Sequence, residues 1–286
     1  MLGQGERAQV IEAQVRKRLA RPNDHCWVLV SLVPDMPGDL LIDHAALQEA
    51  QRDNVTKFPA VARTNFSWHR MDVGLRCIML SGSRESMAGA KWLAADLYSD
   101  GAGIFAMNAI DVAGRHKADD PEEGTDAWVH DEEIVNSIIS GLRFLARHAR
   151  DRAGAGGEAL IRAAIPDLGD DLVVRSPGRI VRLSCRRGHF SDTIGRPLAI
   201  PADVAQAASS LDALADDGPG LVNAAYLLAT DLFQQFGLAE TPQITRHGEL
   251  RRRYWGSYRH QELQTWADEA GIMITDEELP WLVPMA

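Results

Sequence analysis

The chain has 286 residues, 45% hydrophobic and 24% charged, which excludes a disordered, collagen-like or fibrous protein and supplies apolar material for one large domain or two ordinary ones. Its 30 Lys and Arg against 40 Asp and Glu leave a net charge of −10, which opposes indiscriminate binding to nucleic acid or anionic membrane but leaves room for a local basic patch. From Glu6 to Leu19, Val10, Ile11, Val15 and Leu19 recur at helical spacing, and Arg21-Pro22-Asn23-Asp24 ends that predicted helix. Cys26–Val33 is short and rich in β-branched residues, as a buried strand would be; Pro34–Gly38 is a turn cluster. Asp43 stands as an N-cap for a helix from about His44 to Arg52. Arg63–Asp72 and Leu75–Ser81 are expected as strands joined at Val73-Gly74. Trp92–Tyr98 and Gly103–Ile110 form a hairpin pattern, with Asp100-Gly101 in the connector to accommodate φ > 0, and Leu93, Ala95 and Leu97 alternating with polar or exposed partners. Four strands in a row without a long helix predict an antiparallel meander.

Asp111–Glu133 carries nine acids against two bases and reads as a loop whose last acids, Asp131, Glu132 and Glu133, face solvent at the start of the next helix. That helix, 131–152, has Ile134, Ile138, Leu142, Leu145 and Ala149 on one stripe, Arg147, Arg150 and Arg152 in its last turn, and Gly154 as its stop. Strands are expected at Glu158–Ile165 and Arg179–Cys185, with a loop at Asp167–Pro177 between them. After Pro201 the character changes to helical stretches at Asp203–Ala215, Leu221–Phe236 and Trp255–Ala270. The predicted class is α+β: a mostly antiparallel sheet with packed helices and an N-terminal helix over 1–201, then a helical C-terminal subdomain over 202–286 packed on it.

Local catalytic signatures are missing from the sequence. No GxxxxGK[ST] occurs, and Gly154-Ala155-Gly156-Gly157 follows a helix and precedes a strand, the reverse of a dinucleotide-binding turn. Leu80-Ser81-Gly82-Ser83-Arg84 lacks the flanking glycines of a nucleophile elbow. Neither HExxH nor CxxC is present, so no metal site and no cofactor are expected. Asp35, Asp39, Asp43 and His44 share one short segment, but turn and capping duties account for Asp35 and Asp43. Cys26, Cys77 and Cys185 are scattered, apolar in context and odd in number, as expected of reduced thiols in a cytoplasmic protein. The longest apolar run, Cys26–Val33, is too short to span a bilayer, and the polar N-terminus lacks a signal-peptide core.

One cluster stands apart. Residues 246–260 (RHGELRRRYWGSYRH) hold five arginines, two histidines and three large aromatics with one acid, Glu249. Arg246, Arg251, Arg252, Arg253 and Arg259 suit phosphate contacts, and Tyr254, Trp255 and Tyr258 suit base stacking. The competing expectation is that the aromatics belong to the core and the arginines answer the chain's own acids.

Val28–Ala46, Asp96–Phe105, Ile139–Arg162 and Asp231–Trp255 together resemble the region C-terminal to a Schlafen-type AlbA domain in actinobacterial proteins usually described as DNA-binding or ATP-binding. The resemblance touches most of the chain and brings no catalytic residues with it. It implies either the C-terminal portion of a longer protein or a stand-alone relative, with an AlbA-type domain as a partner in cis or in trans. The expected function is a non-enzymatic regulatory or interaction module of a nucleic-acid-associated protein. The alternatives are an enzyme whose site forms only in the fold, with 111–133 as a lid, and a weak nucleic-acid-binding module using residues 246–260.

Overall fold

The computed structural model describes residues 3–19, 26–56, 66–84, 93–109, 127–166, 180–187 and 190–279. Helix α1 (Gln4–Leu19) buries Ala8, Ile11, Val15 and Leu19, spaced by three and four residues, while Val10 from the predicted stripe points outward. Strand β1 (Trp27–Met36) runs through the expected turn at Pro34 and has a register shift between Pro34 and Met36, the kind of irregularity at which a sheet tolerates proline. Helix α2 (His44–Thr56) starts as predicted, with Asp43 Oδ1 accepting the Ala46 N–H at 2.9 Å. Strands β2 (Phe66–Gly74) and β3 (Cys77–Arg84) turn at Leu75-Arg76, two residues beyond the expected Val73-Gly74. Arg76 itself takes the left-handed conformation there, at φ 53°.

Strands β4 (Leu93–Tyr98) and β5 (Gly103–Asn108) form the predicted hairpin. Gly101 sits at φ 85°, and Asp100 Oδ1 accepts the Ala102 N–H at 3.1 Å. Both strands are buried on both faces, so the partners that alternate with Leu93, Ala95 and Leu97 are withdrawn from water too, the polar Asp96 included. Two layers cover them, where the alternation rule assumes one.

Strand β6 (Ala127–His130) leads directly into α3 (Asp131–Arg147), which ends in one π turn (His148–Arg152) before β7 (Gly156–Ala164). Strands β8 (Ile180–Arg187) and β9 (Phe190–Ala199) follow; β6 and β9 have no counterpart among the sequence-predicted elements. The expected helix 203–215 is instead strand β10 (Ala205–Ser210) and a single turn, α4 (Leu211–Ala215). The small side chains of AQAASS tolerate either state, and pairing with β7 decides it. Helix α5 (Pro219–Gln235) matches its prediction and ends before Gly237 at φ 82°. Strand β11 (Leu250–Arg251) and two 3-10 turns (Arg252–Tyr254 and Ser257–Arg259) precede α6 (His260–Ala270) and β12 (Ile274–Thr275). The predicted helix 255–270 thus starts at His260, since Gly256 is extended (φ −56°, ψ 137°).

The main sheet has the order β10-β7-β1-β5-β4-β3-β2 with every pairing antiparallel, which is the expected α+β class. Strand β1 splits its side chains between two layers. Trp27, Leu29 and Val33 meet α1, while Val28, Val30 and Leu32 join the larger core under α3. The α3 stripe of Ile134, Ile138, Leu142, Leu145 and Ala149 is fully buried, each leucine or isoleucine contributing about 1.5–3 kcal/mol. Gly141 lets α3 approach the sheet, because a Cβ there would lie 2.9 Å from Val30 Cβ. Strands β6, β8 and β9 form a second sheet. The large core runs from Cys26 to Leu279 without a break at residue 201, and the helical part begins at Leu211, one strand after the expected boundary. Among the described residues no helix is long and apolar enough to cross a membrane.

Candidate functional site

The basic-aromatic segment turns inward at its centre. Arg251, 3% exposed, places Nε 3.0 Å from Glu277 and Nη2 3.0 Å from Glu240, while Nη1 donates to the carbonyls of Thr241, Pro242 and Ile244. Arg259, 2% exposed, places Nε 3.5 Å from Glu132 Oε1 and pairs with Glu133 through Nη2. Tyr254 and Trp255 are core residues; the Tyr254 hydroxyl accepts the Leu279 N–H at 2.8 Å, and Trp255 Nε1 donates to the Gln243 carbonyl. Arg252 is half-buried and donates to Gln264 Oε1 at 3.2 Å. Arg253 is exposed and pairs with Glu278; Arg246 is exposed beside His247. Tyr258 lies in the 3-10 turn 257–259, and its side chain is outside the described residues.

These residues close onto the N-terminus of α3. Asp131 and Glu132, expected in solvent, are each 1% exposed. Asp131 Oδ1 accepts the Glu132 N–H at 2.7 Å, and Oδ2 accepts Gln243 Nε2 at 2.6 Å. Glu132 Oε2 accepts the Gly256 N–H at 2.6 Å. His130 Nδ1 lies 3.2 Å from Asp131 Oδ1. The helix N-terminus favours the carboxylates, and Arg259 supplies the opposing charge that their burial requires. Chemically this is a clamp between α3 and the C-terminal part. The expected lid at 111–133 lies outside the described residues as far as 126.

A second polar cluster lies on the opposite face of the sheet, where sequence patterning marked only an amphipathic helix. A cavity of about 860 Å³ opens between α1 and the adjoining ends of β3 and β4. Helix α1 contributes Arg7, Gln14, Lys17 and Arg18; the β2–β3 turn contributes Arg76, with Cys77 and Met79 beyond it; Asp96, Tyr98 and Asp100 come from β4 and its turn. Arg18 Nη2 is 2.6 Å from Asp96, and Arg7 Nη2 is 3.0 Å from Asp100. The Arg7 guanidinium also lies over the Tyr98 ring, 4.5 Å from its centroid, and the Tyr98 hydroxyl donates to Gln14 Oε1. Burial raises the Asp96 carboxyl against the pull of Arg18. Burial, then the Asp96 charge, pushes the Cys77 thiol up to about 12, and burial also raises the Tyr98 phenol. Both groups therefore stay protonated at neutral pH, as hydrogen-bonding groups rather than nucleophiles. The only sequence signal for this site is the Arg16-Lys17-Arg18 run in the last turn of α1.

Among the described residues no group of three or more His, Cys, Asp or Glu side chains is arranged to hold a metal ion. Asp43 caps α2, and Asp39 pairs with Arg76 at 2.9 Å. Comparisons with protein-family models, with curated proteins and with solved structures find no match to this chain.

Proposed function

We propose that the chain is a non-enzymatic regulatory or interaction module acting with a nucleic-acid-associated protein of the Schlafen-AlbA type. The observation that carries this reading is the internal neutralisation of the segment richest in chemistry. Arg251 and Arg259 are consumed by Glu240, Glu277, Glu132 and Glu133, and Tyr254 and Trp255 by the core. Such a segment builds a rigid platform. The resemblance of four segments to the region that follows AlbA-type domains supplies the partner, in cis or in trans. Three buried free thiols agree with a cytoplasmic setting. The test is calorimetric titration of a Schlafen-type AlbA domain from the same genome into the purified chain. Saturable binding with a Kd of about 10 μM or tighter is expected, and no binding at about 100 μM would overturn the reading.

Weak nucleic-acid binding is the second reading, and it rests on Arg246, Arg252 and Arg253, whose guanidinium groups are the least enclosed of the five. Single- and double-stranded oligonucleotides titrated at two salt concentrations test it, with Arg252→Ala/Arg253→Ala as the comparison. Each phosphate-binding arginine removed should flatten the salt slope by about 0.7–0.9 log units. If the unaltered chain fails to bind at low salt, this reading ends.

A further inference from the structure

We propose that the cavity between α1 and the β2–β3 and β4–β5 turns binds a small organic dianion, a phosphate monoester or a dicarboxylate, through Lys17 and Arg76. The site is independent of any AlbA-type partner. Its lining holds four cations, Arg7, Lys17, Arg18 and Arg76, against two carboxylates, Asp96 and Asp100, a surplus of positive charge on a chain of net −10. A low-dielectric wall concentrates such a field. The volume, about 860 Å³, lies within the range of small-molecule sites.

The four cations divide into two kinds. Arg7 and Arg18 are held in place: Arg18 pairs with Asp96, itself 4% exposed, and donates to the carbonyls of Leu80 and Ala95. Arg7 is bound to Asp100, whose other oxygen accepts the Ala102 N–H. Both carboxylates of the lining are thereby paired, which offsets most of their repulsion toward an incoming anion. Lys17 and Arg76 are the available charges. Lys17 is exposed on the last turn of α1 and has no ion-pair partner among the described residues. Arg76 meets Asp39 at 2.9 Å with both side chains largely in solvent, a pair that a desolvated dianion outcompetes.

Arg76 carries a further mark. It occupies φ 53° in the turn between Leu75 and Cys77, where an unstrained sequence would place Gly or Asn. Its Nε donates to Ser99 Oγ at 2.9 Å, which fixes the stem across the cavity mouth, so that Nη2 takes up an anion by exchanging its solvent-exposed contact with Asp39. Met79 and the neutral Cys77 give the cavity an apolar side, and Leu75, 94% exposed, stands at its rim, so an anion bearing a hydrocarbon portion fits better than a bare ion.

The probes are phenyl phosphate, phthalate and inorganic phosphate, titrated at constant ionic strength and followed by thermal shift and calorimetry. Phenyl phosphate or phthalate is expected to raise Tm saturably, and the tighter of the two identifies the headgroup. Inorganic phosphate should bind about tenfold more weakly than phenyl phosphate for want of the apolar contact. Lys17→Gln and Arg76→Gly should each weaken binding by about tenfold, and the two together should abolish it. Glycine accepts the turn conformation, so Arg76→Gly folds and its loss of binding reports the charge. Arg196→Gln, exposed on β9 and away from the cavity, should bind as the unaltered chain does. No saturable shift from either organic dianion at about 10 mM, or equal loss in Arg196→Gln, would overturn the proposal.

Discussion

Arg259 Nε lies 3.5 Å from Glu132 Oε1, and both side chains are almost wholly withdrawn from water. One comes from the segment that most resembles a nucleic-acid surface, the other from the first turn of the central helix. Removing one partner leaves a buried charge uncompensated. Arg259→Ala should therefore lower unfolding stability by about 3–5 kcal/mol in urea denaturation. A loss under about 1 kcal/mol would place Arg259 at the surface.

The β4–β5 turn makes a second prediction. Gly101 sits at φ 85°, and a Cβ there would come within 2.8 Å of Ala155 Cβ. Gly101→Val combines a disfavoured backbone with a steric overlap, so a loss of about 2 kcal/mol or more is expected in equilibrium denaturation. Gly154, at φ 69° with open space around its would-be Cβ, is the comparison: Gly154→Ala meets the backbone cost alone and should lose about 1 kcal/mol.

Leu142 and Leu145 are fully buried in the stripe that α3 lays on the sheet. Leu142→Ala and Leu145→Ala should each lose on the order of 2–5 kcal/mol, measured by chemical denaturation. Leu145 should be the costlier of the two, because its Cδ2 fills the space above Gly103 that no side chain occupies from that strand position.

His148 supplies the pH dependence. Its Nε2 lies 2.8 Å from the Tyr98 carbonyl, tying the π turn to the hairpin, and burial lowers its pKa from 6.5 to about 4, outweighing that hydrogen bond. Between those values the unfolded chain binds the proton and the folded chain does not. Its contribution is complete above the unfolded pKa and declines as pH falls through the window toward 4, by on the order of 3 kcal/mol in all. Denaturation midpoints measured at about pH 7 and about pH 4.5 should differ accordingly, and His148→Gln should reduce that difference. An unchanged difference would assign the pH response to other groups.

Elements whose information is local were legible in the sequence. The α3 stripe, the Asp100-Gly101 turn, the Asp43 cap and the stop at Gly154 each depend on residues within a few positions of one another. Such signals survive because backbone preference and periodicity act over one or two turns. Strand β10 was hidden for the converse reason: AQAASS has no strong local preference, and its partner β7 lies far back in the chain.

The burial of Asp131, Glu132, Arg251 and Arg259 was likewise decided only by the fold. A charged side chain is read as exposed by default, because burying it alone is costly. Of the partners that remove that cost, Glu132 is brought to Arg259 by the packing of the C-terminal part on α3, and Glu240 meets Arg251 where the C-terminal part folds back on itself. The cavity on the α1 face follows the same logic. Lys17 on a helix and Arg76 in a strained turn share a wall only because the meander folds β3 beside α1, so their common chemistry belongs to the tertiary structure and to no segment of the sequence.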